Sequence, residues 1–183
     1  GRIVPATCDI VDIAGLVKGA SQGEGLGNQF LGNIRETDAI IHVLRCFDND
    51  NIVHVDGSVN PVRDKEIIDA ELQLKDLETV ENRIKRVEKQ ARVGGDKQAK
   101  LEFDVLSAYR DALLQGKSAR TVTFETEDEI STAKGLFLLT TKPVLYVCNV
   151  DDTSAANGNP YVEAVREAIK DEEAELLIIS AQT

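Results

Sequence analysis

Asp12-Ile13-Ala14-Gly15 closes the apolar run Cys8-Asp9-Ile10-Val11, and its residue types and spacing suit one kind of chemistry. An Asp at the carboxyl end of a buried strand can hold a water on Mg²⁺. A Gly just beyond it lets a terminal phosphate approach the backbone, as nucleotide hydrolases with switch loops require. A strand end followed by a turn glycine would give the same four letters. The continuation, however, gives five glycines from Gly15 to Gly27 inclusive. Such a stretch packs as neither helix nor strand, so a loop directly after the phosphate sensor is expected, in the position of a switch segment.

Two further segments could do chemistry. Asn149-Val150-Asp151-Asp152 follows the apolar run Pro143–Cys148, and Ser180-Ala181-Gln182 follows Leu176–Ile179. In an open α/β sheet, ligands bind at the carboxyl ends of strands. Asp12, Asn149 and Ser180 are therefore expected on one rim. An Asn with a carboxylate three residues on can read a purine: Asp152 accepts from N–H groups of the base while Asn149 braces neighbouring loops. The Ser-Ala-Gln backbone offers an N–H to the base. Each segment alone also reads as an ordinary turn.

The elements that must position these residues follow from hydrophobic period. Strands are expected at Thr7–Val11, Ala39–Leu44, Pro143–Cys148 and Leu176–Ile179, and helices at Asn28–Glu36, Glu127–Leu139 and Pro160–Glu173. Between residues 64 and 120 the period changes. Ala70, Leu77, Val80, Ile84, Val87 and Ala91 alternate three- and four-residue steps, the seam of a long helix. Gly94-Gly95-Asp96 ends it and caps a returning helix carrying Ala99, Phe103, Leu106 and Leu113, which Gly116 stops. The fold class expected is α/β, a doubly wound parallel sheet interrupted by an antiparallel helical hairpin.

Composition bounds the setting. The chain has 183 residues, 42% of them apolar, enough for one core and an appendage. No run reaches the length of a membrane span, and no signal peptide is expected. Cys8, Cys46 and Cys148 are three and far apart, which fits reduced thiols in the cytoplasm rather than a disulfide framework. A cysteine–histidine metal site is not expected, because His42 and His54 stand apart from them. The absence of Met suggests an interior segment of a longer protein. The net charge of −11 argues against a uniformly nucleic-acid-binding surface. From Arg83 to Arg120, however, ten basic residues face five acidic ones, so the hairpin is a separate, basic body.

The run Asp9–Ser21, with Gly23–Leu31, Asn33–Ala39, Arg45-Cys46-Phe47, Asn51–Val55 and Asn60-Pro61, resembles the YchF or Obg-like ATPase family of P-loop NTPases, in the translation-factor class. The resemblance implies a G domain in two parts, 1–63 and 121–183, around a coiled-coil insertion at 64–120. It implies hydrolysis of ATP or GTP with Mg²⁺, which Asp12 would hold through water, and association with the ribosome. It implies that Gly15 and His54 serve catalysis and that Asn149, Val150, Asp152, Ser180, Ala181 and Gln182 bind nucleotide. Guanine-specific relatives of this class carry Asn-Lys-x-Asp, whose Lys stem packs on the base. Val150 replaces that Lys, favouring adenine, whereas Asp152 softens the preference.

Leu16 stands where Ras-like enzymes place a water-orienting Gln, so another group must act. His54 is the candidate, with a surface histidine of no catalytic role as the alternative; His42, mid-strand, reads as a core or edge residue. No Gly-x-x-x-x-Gly-Lys-Ser/Thr occurs in the chain, so the phosphate cradle is expected upstream of Gly1 and a β-rich domain beyond Thr183. Arg83, Lys85, Arg86, Lys89 and Arg92, with Lys97 and Lys100 across the turn, are candidates to meet ribosomal RNA. A monomer with no membrane partner is expected. The alternative reading is a non-catalytic RNA- or ribosome-binding segment that uses this basic hairpin.

Overall fold

The computed structural model of the chain describes residues 39–48 and 59–180. The strand and helix expected before residue 39, and the short segment Ile52–Val55, lie outside these residues. Three apolar runs rich in β-branched side chains form β1 (Ile40–Arg45), β2 (Val144–Val150) and β3 (Glu175–Ser180). All are parallel, in the order β1-β2-β3, with Val43 opposite Val147 and Val147 opposite Leu177. A parallel sheet aligns the carboxyl ends of its strands on one rim, which is what the candidate site requires.

One sheet face is covered by a helix, Pro160–Ile169. Asn159 starts it, its side-chain oxygen accepting from Val162 N at 3.0 Å, and Pro160 occupies the first turn, where a missing N–H costs nothing. Leu44, Tyr146, Cys148 and Val150 pack there against Val162, Val165 and Ile169. The helix stops four residues short of the expected Glu173. Beyond Ile169 the chain turns so that Glu172 accepts from the buried Tyr146 hydroxyl at 2.9 Å.

The two long helices are α1 (Pro61–Val93) and α2 (Lys97–Leu114). Their turn runs through Gly94 and Gly95 at φ 82° and 93°, a backbone region that favours glycine, and Asp96 then caps α2 by accepting from Ala99 N at 3.0 Å. The buried positions of α1 are Pro61, Lys65, Leu72, Asp76, Val80 and Ile84. Ala70, placed on the seam from sequence, is exposed. The true stripe passes through two charged residues, Lys65 and Asp76, which a reading of apolar letters skips. Arg83 and Glu102 add an ion pair between the helices at 3.7 Å.

Both buried charges have partners. Asp76 accepts from Leu139 N and Thr140 N at 2.7 Å and from the Thr140 hydroxyl at 2.6 Å, while Thr140 in turn accepts from Ala119 N at 2.8 Å. One carboxylate thus ties α1 to two short 3-10 turns, Ala119–Thr121 and Leu139–Thr141. Lys65 roots α1 on the sheet region, bridging Asp69 at 2.6 Å and Glu172 at 3.2 Å. Burial opposes its charge, but the hydrogen bond to Asp69 and the attraction of both carboxylates outweigh this, so its pKa is raised. His42 in β1, which the sequence assigned to the core or a strand edge, sets its ring 5.7 Å from the Tyr146 ring of β2 and tilted to it, and burial lowers its pKa.

The remaining helix, α3 (Glu127–Lys134), opens on a capping box between Thr126 and Glu129. It ends five residues before the expected Leu139. Leu136 and Leu138 are both buried, so the chain leaves the helix and turns Phe137 outward at φ 52°. The helix over Pro160–Ile169 is hereafter α4. Among the described residues no helix is long and apolar enough to cross a membrane.

Candidate functional site

β2 and β3 end side by side. Val150 pairs in register with Ser180, and the Ser180 hydroxyl donates to the Asp152 carboxylate. Asn149, Asp152 and Ser180 therefore share the rim that the sequence reading assigned to them. Side-chain alternation separates Asn149 from Val150: Val150 is wholly buried in the core against α4. A ligand at this rim meets the backbone of Val150 and not its side chain. Asp12, Gly15, Leu16, His54, Ala181 and Gln182 lie outside the described residues. The Mg²⁺ assigned to Asp12 accordingly has no described ligand, and among the described residues no group of three or more His, Cys, Asp or Glu is placed to hold a metal.

The loop after β1 adds residues to which the sequence reading gave no role in the site. Arg45 is opposite Asn149 in register, and its guanidinium lies 4.7 Å from the centre of the Phe47 ring. Phe47, Asp48, Asp151 and Asn159 help line an open cavity of about 430 Å³ between this loop, the loop after β2 and the start of α4. The loop is fixed by short bonds. Cys46 N donates to Asn149 O at 2.8 Å, Asn159 Nδ2 donates to Cys46 O at 2.7 Å, and the Tyr161 hydroxyl donates to Asp48 at 2.6 Å. That last bond raises the Tyr161 pKa. Asp151 accepts from Ser154 N at 3.1 Å, and its contacts with Ser154 hold its carboxyl below the usual range.

Cys46 and Cys148 are free and buried, and their thiols share a hydrogen bond. The bond raises the Cys46 thiol, as burial also does, and lowers Cys148, which accepts it.

The basic candidates divide by environment. Lys85, Arg86, Lys89 and Arg92 form one exposed stripe along α1, and Lys97 and Lys100 are exposed across the turn. Arg92 pairs with Glu88 at 2.6 Å on the stripe itself. Arg83 lies off it, half-buried against Glu102.

With this geometry in view, similarity to known proteins is decisive. A family model described as a 50S ribosome-binding GTPase matches residues 2–83. The ribosome-binding ATPase YchF of Bacillus subtilis (strain 168) is 49% identical over 183 residues, covering 99% of this chain and 50% of the relative. That of Escherichia coli O157:H7 is 52% identical over 166 residues, covering 91% of this chain and 45% of the relative. The solved structure of the Schizosaccharomyces pombe YchF GTPase superposes with a TM-score of 0.75 at 35% identity, over 92% of this chain and 46% of that one. The chain belongs to the YchF family. It spans about half the length of the curated relatives it matches. Its parallel sheet with helices is of the P-loop GTPase type that the YchF structure shares.

Proposed function

We propose that the whole protein containing this YchF-family chain is a ribosome-associated nucleotide hydrolase of the cytoplasm, acting as a translation- or stress-linked switch. It would convert ATP, and less readily GTP, to the diphosphate and phosphate with Mg²⁺. The observation that carries this reading is the rim itself, where Asn149, Asp152 and Ser180 meet at parallel strand ends, Ser180 bonded to the carboxylate. That bond fixes the Asp152 side chain, so its other oxygen can accept from the N–H edge of a purine. The buried Val150 leaves no Lys stem to stack on guanine, which favours adenine. Asp12 and Gly15 would meet the metal and the terminal phosphate, and His54 would orient the attacking water in place of the absent Gln.

In this reading the paired helices form a coiled-coil insertion, and their exposed basic stripe meets ribosomal RNA. The stripe equally favours a second reading, a ribosome-binding segment without catalysis. Turnover by the full-length protein separates the two. Mg²⁺-dependent ATP hydrolysis is expected, with ATP displacing a labelled nucleotide at least as well as GTP. His54→Ala should lower turnover about 10²-fold at nearly unchanged ATP affinity. No hydrolysis at all would leave the binding-segment reading; GTP preferred by about tenfold would refute the adenine assignment.

A further inference from the structure

We propose that Arg45 is a nucleotide-binding residue, the donor half of a site whose acceptor half is Asn149. This rests on the nucleotide-hydrolase reading and adds to it a residue on the neighbouring strand.

Three polar atoms at the rim are buried without a hydrogen-bond partner among the described residues: Arg45 Nε, Arg45 Nη2 and Asn149 Oδ1. Such atoms are rare in folded proteins, because a buried donor or acceptor without a partner forfeits its hydration. A guanidinium cannot escape by losing its proton. The two nitrogens are those of one edge, the fork that takes two oxygens side by side. The Phe47 ring offers its face to the cation at 4.7 Å, but a ring supplies no oxygen to the fork. No ion pair among the described residues involves Arg45, and Asp48, a carboxylate on the same loop, accepts from Tyr161.

The position completes the assignment. Arg45 and Asn149 are register partners on adjacent parallel strands, so their side chains leave the same sheet face at the rim where ligands bind. Two donors and one acceptor thus belong to neighbouring strand ends, on backbone fixed by the Cys46–Asn149 bond. A nucleotide supplies what they lack. Its phosphate or ribose oxygens satisfy the fork, and a hydroxyl or amine satisfies Asn149 Oδ1.

Full-length protein carrying Arg45→Lys or Arg45→Gln would be titrated with ATP, ADP, adenosine and 2′,3′-dideoxyadenosine, with folding followed by thermal melting without nucleotide. The expected result is a loss of roughly tenfold or more, the effect of one charge-assisted hydrogen bond. The loss should be confined to the ligands that carry the contacted oxygens. If the fork takes phosphate, ATP and ADP weaken while both nucleosides are unaffected. If it takes ribose, adenosine weakens as well and dideoxyadenosine does not. Lys restores charge without the fork, so it should recover part of a phosphate contact and little of a ribose one. Affinities unchanged within about twofold, or an equal loss for every ligand including dideoxyadenosine, would overturn the assignment. If Arg45→Gln does not fold, Arg45→Lys carries the comparison. A wild-type protein that binds none of the four would refute the hydrolase reading instead.

Discussion

At the residue scale, the charge that matters most to the fold is Asp76. Its side chain is 1% exposed and receives three bonds of 2.6–2.7 Å from Leu139 N, Thr140 N and the Thr140 hydroxyl. No water can replace it, so truncation leaves buried donors with nothing to donate to. Asp76→Ala should therefore cost about 3 kcal/mol or more, read as a drop in the urea midpoint of the full-length protein. Asp76→Asn should also destabilise, because its amide nitrogen would face donors rather than accept from them. A midpoint shift for Asp76→Ala no larger than that of a surface control such as Glu81→Ala would show that the 3-10 turns hold without it. The neighbouring Tyr109 feels both its own burial and this carboxylate, and its hydroxyl pKa is pushed up to about 12.

At the element scale, the hairpin presents Lys85, Arg86 and Lys89 on the open side of α1, with Lys97 and Lys100 beyond the turn. If this stripe meets phosphates, each neutralised phosphate releases a counterion, and ribosome affinity falls with the logarithm of salt. Reversing Lys85, Arg86 and Lys89 to Glu should flatten that slope by about three. Reversing Arg83 should act differently, through the lost bridge to Glu102 and hence on stability. An unchanged slope in the triple reversal would make the hairpin a spacer. The sequence made this hairpin legible because glycine pairs, N-caps and returning apolar residues such as Leu106 are local signals. Ala70 was misplaced because the stripe is set by long-range partners of Lys65 and Asp76, which no helical period contains. The same physics divides the site. Asn149 and Ser180 were readable as polar residues ending apolar strands, whereas Arg45 ends its strand as an ordinary cation until the register places it beside Asn149.

At the scale of the whole molecule, the sheet has two faces of very different standing. The one carrying Leu44, Tyr146 and Val150 is packed under α4. The other carries Ile41, Val43, Leu177 and Ile179, which are 48%, 58%, 50% and 46% exposed. Parallel sheets occur with both faces covered, because their strands are apolar on both sides. The register sets Val43 and Leu177 in one row on either side of Val147, which is itself only 7% exposed, so the exposed apolar side chains lie on the two flanking strands. A doubly wound sheet therefore requires helical cover over this face from outside the described residues. Val43→Asp discriminates the two conditions, since a carboxylate is harmless on an open surface and costly in a dry one. In the full-length protein it should lower stability by about 3 kcal/mol, within the range for an uncompensated buried charge. Equal stability of wild type and Val43→Asp at full length would mean that this face stays open, and the doubly wound reading would fail.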